Sequence, residues 1–262
     1  MRVFSIMYHD VVEGNDFEAS GFPGRDAALY KLGRKQFAEQ LQAIKAAAQH
    51  GGARRILDPP IEPAASFVMT FDDGGASAYT TIADMLEQYG WRGHFFITTD
   101  YIGRSAFMSR AQIHELHRRG HIIGSHSCSH PARMSSCSWE EMVREWTASV
   151  LVLSDILGEK IRIASVPGGF YSRKVAQAAS RAGIEWLFTS EPTTKQMWVD
   201  GCRVFGRYTI QRWMSSPTVA GLATGRIQPR LRQMFLWNTK KLTKSLGGKY
   251  YLKARKALLE KS

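Results

Sequence analysis

The sequence predicts an α/β protein in which parallel strands are joined by crossover helices and a basic helical extension follows. Short apolar runs alternate with segments of helical spacing along residues 3–220. The helical segments also have recognisable caps at their ends. Repeated alternation of strand and helix favours a parallel sheet, either an open sheet or a closed barrel. A hydrophobic content of 44% is ample for a packed core.

Seven runs rich in β-branched and aromatic residues are short enough to be buried strands. They span residues 3–8, 67–71, 94–98, 121–124, 161–166, 186–189 and 203–210. The helix before the second strand carries Phe37, Leu41, Ile44 and Ala48 on one face. Later helices are expected to begin at four serines, one of which forms a capping box with Glu141. The four are Ser109, Ser138, Ser172 and Ser216.

Polar side chains or glycines follow four of these strands at the point where each strand ends. In both architectures the carboxyl ends of parallel strands share one rim, so these residues are expected to meet. They are His9 after the first strand, Asp72 and Asp73 after the second, His126 and His130 after the fourth, and Pro167, Gly168 and Gly169 after the fifth.

One aspartate and two histidines are sufficient protein ligands for a catalytic divalent metal. The spacing of His126 and His130 places both imidazoles on one side if the segment forms a helical turn. The second aspartate would then lie close enough to act as the general base. Each motif taken alone has a structural alternative: Asp-Asp-Gly as a turn or helix cap, His-x3-His as packing, and Pro-Gly-Gly as a tight turn.

Two of these motifs resemble those of a known family. TFDDG at residues 70–74 is similar to the first motif of the polysaccharide deacetylases, also called the NodB-homology domain or carbohydrate esterase family 4. HSCSH at residues 126–130 is similar to the second motif. The resemblance extends over about residues 5–210 and implies a distorted (β/α)7 barrel. We expect this barrel to occupy residues 1–220, followed by a basic amphipathic helical tail over residues 221–262.

The resemblance also implies roles for individual residues. Asp73, His126 and His130 would be the metal ligands, with zinc as the expected ion and other divalent transition metals as alternatives. Asp72 would be the general base. The backbone N–H of Gly168, in the stretch that matches the third motif, would stabilise the oxyanion.

The chain departs from the family at three points. The third-motif arginine, which orients the catalytic aspartate, is replaced by Ser165, and its fourth-motif Asp-Trp partner is not found. No histidine follows His130, so the family's general acid is also missing. His9 is the candidate replacement for this acid, with a structural histidine at the barrel mouth as the alternative. Arg207 could supply the lost positive charge, or could be an ordinary rim residue in a salt bridge.

The C-terminal segment is strongly cationic. Residues 221–262 hold eleven Lys/Arg against Glu260, so this segment carries +10 (11 − 1) of the chain's net charge of +12. Apolar residues at helical spacing, including Ile227, Leu231 and Phe235, are interleaved with the cations, and a second short basic helix is expected after residues 247–248. This pattern fits an interfacial helix on an anionic membrane. A helix docked on the barrel is the alternative, and nucleic acid is not expected as a partner because no recognised motif supports it.

Location and function follow as expectations. Cys128, Cys137 and Cys202 are odd in number and suit free thiols in a reducing compartment. No signal sequence or membrane span is recognised, so we expect a cytoplasmic protein, with peripheral association at the inner membrane face as an option.

The expected activity is metal-dependent removal of the N-acetyl group from an amino sugar. A lipid-linked or nucleotide-linked saccharide precursor would suit both the location and the basic tail. The alternatives are a metal-dependent hydrolase of a non-sugar C–N bond and a non-catalytic module that binds a saccharide or a membrane.

Overall fold

A curved sheet of nine strands forms the centre of the molecule in the computed structural model, which describes residues 3–48, 51–58 and 67–239. A pair of two-residue strands lies apart from it. The strands are β1 (Phe4–Tyr8), β2 (Val11–Val12), β3 (Leu32–Gly33), β4 (Phe67–Phe71), β5 (His94–Ile97), β6 (Ile122–Ser125), β7 (Ile163–Ser165), β8 (Trp186–Phe188), β9 (Met197–Val199), β10 (Cys202–Phe205) and β11 (Tyr208–Thr209).

The strand order in the large sheet is β11-β1-β4-β5-β6-β7-β8-β10-β9. All neighbours pair in parallel except β9, which is antiparallel to β10. The sheet curls into a half-barrel covered by helices, so the predicted α/β barrel-like fold is confirmed. The carboxyl ends of its parallel strands form a single rim, as the alternation of elements predicts.

The seventh predicted strand, residues 203–210, is divided in the structure. Its first part is β10, which pairs with β8, and its second part is β11, which pairs with β1 at the opposite edge of the sheet. Gly206 makes the crossing possible, because a Cβ there would lie 2.4 Å from Glu191 O. We call the crossing at Gly206 and Arg207 the seam. It brings the two edges of the half-barrel together through one short connection.

Seven helices lie between or after the strands in the described residues, and residues 227–239 form a further helix at their C-terminal end. Ser138 forms a capping box with Glu141, as predicted. Helices also start at Ser109 and Ser172 as predicted, and the structure shows a capping box at Ser109 and a side-chain cap at Ser172. The last of the seven helices has Ser215 as its N-cap and begins at Ser216, whereas the sequence predicts Ser216 itself as the N-cap. The helices are α1 (Arg25–Ala28), α2 (Arg34–Ala48), α3 (Ala83–Glu87), α4 (Arg110–Arg118), α5 (Trp139–Leu157), α6 (Arg173–Arg181) and α7 (Ser216–Ala223).

The strands alternate between two apolar layers. In β4, Phe67, Met69 and Phe71 belong to the core beneath the helices, whereas Val68 packs inside the half-barrel with Phe96 and others. The interior is therefore filled by side chains and is not a channel. None of the helices in the described part of the chain is long and apolar enough to cross a bilayer.

The predicted domain division between residues 220 and 221 stays a prediction. The helix α7 runs across it, and its buried side chains pack against α2. The second basic helix expected after residues 247–248 lies outside the described residues.

Candidate metal and catalytic site

The aspartate pair lies at the end of a fully buried strand. All five residues of β4 are buried, and Asp72 follows it directly. The Asp72 N–H donates to Tyr8 O at 3.1 Å, and the Thr98 N–H donates to Asp73 O at 3.2 Å. Backbone hydrogen bonds from both neighbouring strands thus fix the pair on the rim.

The backbone turns sharply between the two carboxylates. Asp73 has φ +77° and Gly74 has φ +87°, both in the left-handed region that aspartate tolerates and glycine favours. A Cβ at Gly74 would also lie 3.2 Å from Ile97 Cγ2. As a result Asp73 contacts the two histidines, whereas Asp72 is directed into the half-barrel.

The two histidines come from the loop that follows β6. The His126 N–H donates to Ile97 O at 2.8 Å, and the His130 N–H donates to Ser127 Oγ at 3.1 Å. Ser127 and His130 both have positive φ, so the segment does not form the helical turn that was the condition for placing both imidazoles on one side. The predicted juxtaposition still holds, because the loop brings the ring centroids to 5.1 Å.

A carboxylate on the longest helix holds this loop. Glu145 of α5 accepts hydrogen bonds from the N–H groups of Cys128 and Ser129 at 3.0 and 2.8 Å. The Ser129 hydroxyl also donates to it at 2.7 Å. The charge-assisted bonds keep both histidines in register with the aspartates.

Asp73, His126 and His130 form a group of three potential metal ligands whose donor atoms all lie within 4.8 Å of one another. Asp73 Oδ1 is 3.3 Å from His126 Nε2 and 3.6 Å from His130 Nε2. Ligands bound at about 2.1 Å to one tetrahedral ion lie roughly 3.4 Å apart. The donor set and its spacing therefore fit a divalent cation of the zinc type.

The electrostatics of the group also favour a cation. Burial alone would raise the pKa of Asp73, but the hydrogen bond from His126 and the charges of the neighbouring histidines lower it below its ordinary value. Burial and the adjacent His126 lower the pKa of His130 to about 4, so this ring is neutral, as a ligand must be. Burial opposes ionisation of His126, yet the carboxylates of Asp72 and Asp73 raise its pKa. The site thus stabilises positive charge.

Asp72 is held by a buried arginine. Arg207 Nη1 and Nη2 donate to Asp72 Oδ1 and Oδ2 at 2.6 and 2.8 Å. The guanidinium is fully buried and also donates to Thr70 Oγ1 and Thr189 O at 3.0 Å each. Burial tends to raise the pKa of Asp72, but Arg207, His126 and His9 together lower it. The carboxylate is therefore ionised and fixed in orientation.

Ser165 connects Asp72 with His126. The His126 Nδ1 atom is 2.6 Å from Ser165 Oγ and 3.1 Å from Ser165 O, and Ser165 Oγ donates to Asp72 Oδ1 at 3.2 Å. With the Ser165 hydroxyl donating to the carboxylate, Nδ1 donates to Ser165, and Nε2 is the ring nitrogen that would bind a metal ion beside Asp73 and His130. Ser165 thereby sets the tautomer that metal binding requires.

The remaining two predicted site residues lie on the same rim. Gly168 is in the turn after β7 with φ +62°, and a Cβ there would lie 3.1 Å from Ala132 O, beside the histidine loop. His9 follows β1 and packs on Tyr30 at 5.0 Å between ring centroids. Its Nδ1 is buried and has no hydrogen-bond partner among the described residues. A positive charge on His9 would lower the pKa of both aspartates.

The contacts of Ser165 and Glu145 are not predicted by the sequence motifs. Ser165 was expected only as the site of a lost arginine, and Glu145 was not recognised as a support of the histidine loop. Arg207 was weighed as a replacement charge, and the structure places it against Asp72. The available signal was its position within the apolar run 203–210, because an arginine buried in a strand needs a carboxylate partner.

Comparisons with known proteins show which family this chain resembles. A family model described as polysaccharide deacetylase matches residues 61–187. YxkH of Bacillus subtilis strain 168, assigned by name to the polysaccharide deacetylases, is 26% identical over 158 residues, covering 60% of this chain and 54% of the relative. The peptidoglycan-N-acetylglucosamine deacetylase PgdA of Listeria monocytogenes is 26% identical over 124 residues, covering 47% of this chain and 26% of the relative. The chain thus spans about half or less of the length of these relatives.

A solved structure supports the fold. The Streptococcus pyogenes deacetylase PplD in complex with acetate matches with a TM-score of 0.68 at 18% identity, covering 89% of this chain and 98% of that one. The family consists of metal-dependent carbohydrate esterases that act on N-acetyl groups, which agrees with the enzyme class predicted from the motifs. The matched residues, the curated relatives and the shared fold together support the assignment made from the two motifs, that of a divergent polysaccharide deacetylase.

Proposed function

We propose that the protein hydrolyses the N-acetyl group of an amino sugar with the help of a divalent metal ion. The observation that carries the proposal is the pairing of a complete ligand group, Asp73, His126 and His130, with an ionised carboxylate, Asp72, that a buried arginine orients. A non-catalytic module has no need of an oriented base. This pairing therefore favours an enzyme over a binding module.

The ligand group would hold the metal, and zinc is the ion proposed because two imidazoles and one carboxylate are a common zinc set. A divalent cation bound there supplies Lewis acidity, which polarises a carbonyl oxygen and lowers the pKa of water. Asp72 accepts a proton from the attacking water as general base. The Gly168 N–H donates a hydrogen bond to the oxyanion that develops on the acetamide oxygen.

The test of the activity is metal analysis followed by acetate release from soluble and lipid-linked N-acetylhexosamines. Asp72→Asn is isosteric and is expected to reduce turnover about 10²- to 10⁴-fold, because the amide cannot accept the proton. Bound metal should stay near the wild-type level, since Asp72 is not in the ligand group. Equal turnover in the wild type and the variant would refute the assignment, and release of ammonia or another amine from a non-sugar amide instead of acetate would favour the alternative hydrolase.

His9 is proposed as the general acid that donates a proton to the leaving amine. It lies on the rim close to both aspartates, and its Nδ1 has no competing partner among the described residues. His9→Ala should lower turnover by about 10²-fold or more while leaving bound metal unchanged. Partial recovery with small added imidazoles would support the role, and unaltered turnover would exclude His9 from the mechanism.

We further propose that the substrate is a lipid-linked or nucleotide-linked saccharide precursor at the cytoplasmic face of the membrane. Support comes from the cationic C-terminal segment and from the three cysteines, which are free thiols. Acetate release confined to soluble polymer, with none from either linked precursor, would contradict this substrate class. Fractionation of cells into soluble and membrane pools tests the location.

A further inference from the structure

The helix of residues 227–239 leaves a row of apolar side chains uncovered. Ile227 is 70% exposed, Leu231 52%, Met234 40% and Phe235 71%. Their spacing of four, three and one residues places all four on one side of a helix. Exposed apolar residues are common singly, but a contiguous row on one helix indicates an interaction surface. We call this row the apolar face.

A different side of the same helix is fixed to the half-barrel. Arg230 Nε donates to Tyr208 Oη at 2.9 Å, and its guanidinium lies 5.2 Å above the ring of Phe4. Gln233 Nε2 donates to Thr209 O at 2.6 Å. These contacts use residues next to the seam, so the orientation of the helix is set by the barrel and the apolar face is directed away from it.

The helix also extends to the edge of the candidate site. A Cβ at Gly169, in the turn that contains Gly168, would lie 3.7 Å from Trp237 Cη2. The last turns of the helix therefore stand beside the rim that carries the aspartates and histidines. A surface that covers the apolar face would border the mouth of the site.

The positive charge around the apolar face indicates what kind of surface covers it. Arg226, just before this helix, and Arg232 on it are exposed, and residues 240–262 add eight Lys/Arg against Glu260. A second copy of the chain would bring the same positive charge, which disfavours self-association through this face. An apolar row surrounded by cations is instead the pattern of helices that lie at the boundary between anionic headgroups and acyl chains.

We propose that the apolar face inserts into the interface of an anionic phospholipid bilayer and holds the rim of the candidate site against it. The proposed membrane association is thereby assigned to a defined surface. It rests on the proposed function only for the identity of the substrate that reaches the rim. A saccharide carried by a lipid would reach the site at the bilayer surface without leaving it.

The test is flotation of the full chain with vesicles of phosphatidylcholine alone or mixed with phosphatidylglycerol. The wild type should float with the anionic vesicles. Leu231→Asp combined with Phe235→Asp should weaken binding at least about tenfold, because two large apolar side chains are lost from the interface. The matched control is Trp139→Asp combined with Leu151→Asp, which adds the same charge at exposed positions on α5 and should bind as the wild type does.

Circular dichroism and sedimentation velocity without lipid accompany both variants. Native spectra exclude misfolding as the cause of lost binding, and neither measurement depends on deacetylase activity. Absence of wild-type binding, or equal weakening in both double variants, would overturn the proposal. So would a lipid-free wild-type dimer that Leu231→Asp with Phe235→Asp converts to a monomer, since the apolar face would then bind a second copy.

Discussion

Arg207 is fully buried, and its guanidinium forms two hydrogen bonds with the single carboxylate of Asp72. Exposed ion pairs contribute little to stability, but removal of one partner from a buried pair leaves an uncompensated charge. The same pair keeps the pKa of Asp72 below its ordinary value and fixes the direction of its oxygens. Stability and the proposed catalysis would therefore depend on the same two side chains.

Arg207→Met is expected to lower the free energy of unfolding by about 3–5 kcal/mol, measured by urea denaturation near neutral pH. The loss in the free energy of unfolding should be smaller when Asp72→Asn is added, because no buried charge then lacks a partner. A double variant as unstable as Arg207→Met alone would show that lost packing, not lost charge, dominates.

The pH profile of the Arg207→Met enzyme separates catalysis from stability. Asp72 works as an anion, so activity is present above its pKa and is lost as pH falls through it. Without Arg207 the pKa rises, and the acidic limb of kcat/KM should move to higher pH, with bound metal unchanged at the upper plateau. A purely structural arginine would leave the limb where it is.

At the scale of elements, α5 supports the site as well as the core. Its capping box fixes where the helix begins, and its buried face packs under the sheet. Glu145 lies on the same helix and accepts three hydrogen bonds from the loop that carries the two histidines. The position of the loop is thus set by a helix that contributes no ligand.

Glu145→Ala is expected to weaken metal affinity by about tenfold or more, because the loop loses the acceptor that orders it. Competition with a chromogenic chelator measures the affinity directly. Glu140→Ala, at an exposed position in the first turn of the same helix, is the control and should bind metal as the wild type does. An unchanged affinity in Glu145→Ala would show that the strand ends alone order the loop.

At the scale of the whole molecule, the candidate ligands join separate parts of the sheet. Asp73 follows β4, whereas His126 and His130 follow β6, with β5 between them. A metal bound by all three should stabilise the folded state by about 2.7 kcal/mol at a free concentration one hundred times its Kd. Removal of metal by a chelator should therefore lower Tm, and added zinc should restore it.

A ligand-deficient variant provides the control for this shift. His126→Ala should show the same Tm with and without zinc, because two of the three ligands cannot hold the ion tightly. A zinc-induced rise in Tm that persists in His126→Ala would place the metal elsewhere.

The comparison with the sequence separates what local patterns can predict from what they cannot. Hydrophobic period and parallel topology predict the strand ends and the helix starts at Ser109 and Ser138. They also predict that Asp73 meets both histidines. These features need only the local pattern of each element and a parallel neighbour, and they do not depend on which strand that neighbour is. The predicted roles of His9 and Gly168 in catalysis remain predictions.

Features set by long-range contacts were harder to predict. The run 203–210 has the pattern of one strand, and only the close approach of Gly206 to Glu191 O divides it between two edges. The partner of Arg207 lies 135 residues away in sequence, and no local pattern indicates that distance. Residues 126–130 do not form a helical turn, because Glu145 and Ser127 satisfy the backbone of an irregular loop.

The seam places the side chain that orients Asp72 on a different part of the sheet from the candidate ligands. Arg207 stands between β10 and β11, and its guanidinium reaches Thr189 O on one side and Thr70 on the other. The ligands come from β4 and β6, which remain neighbours of β5 even if the two edges of the sheet separate. Opening of the edges would withdraw the guanidinium from Asp72 while the ligand group stays assembled. In a variant with a disrupted seam, metal content would therefore test the integrity of β4 to β6, and turnover would test the closure of the seam.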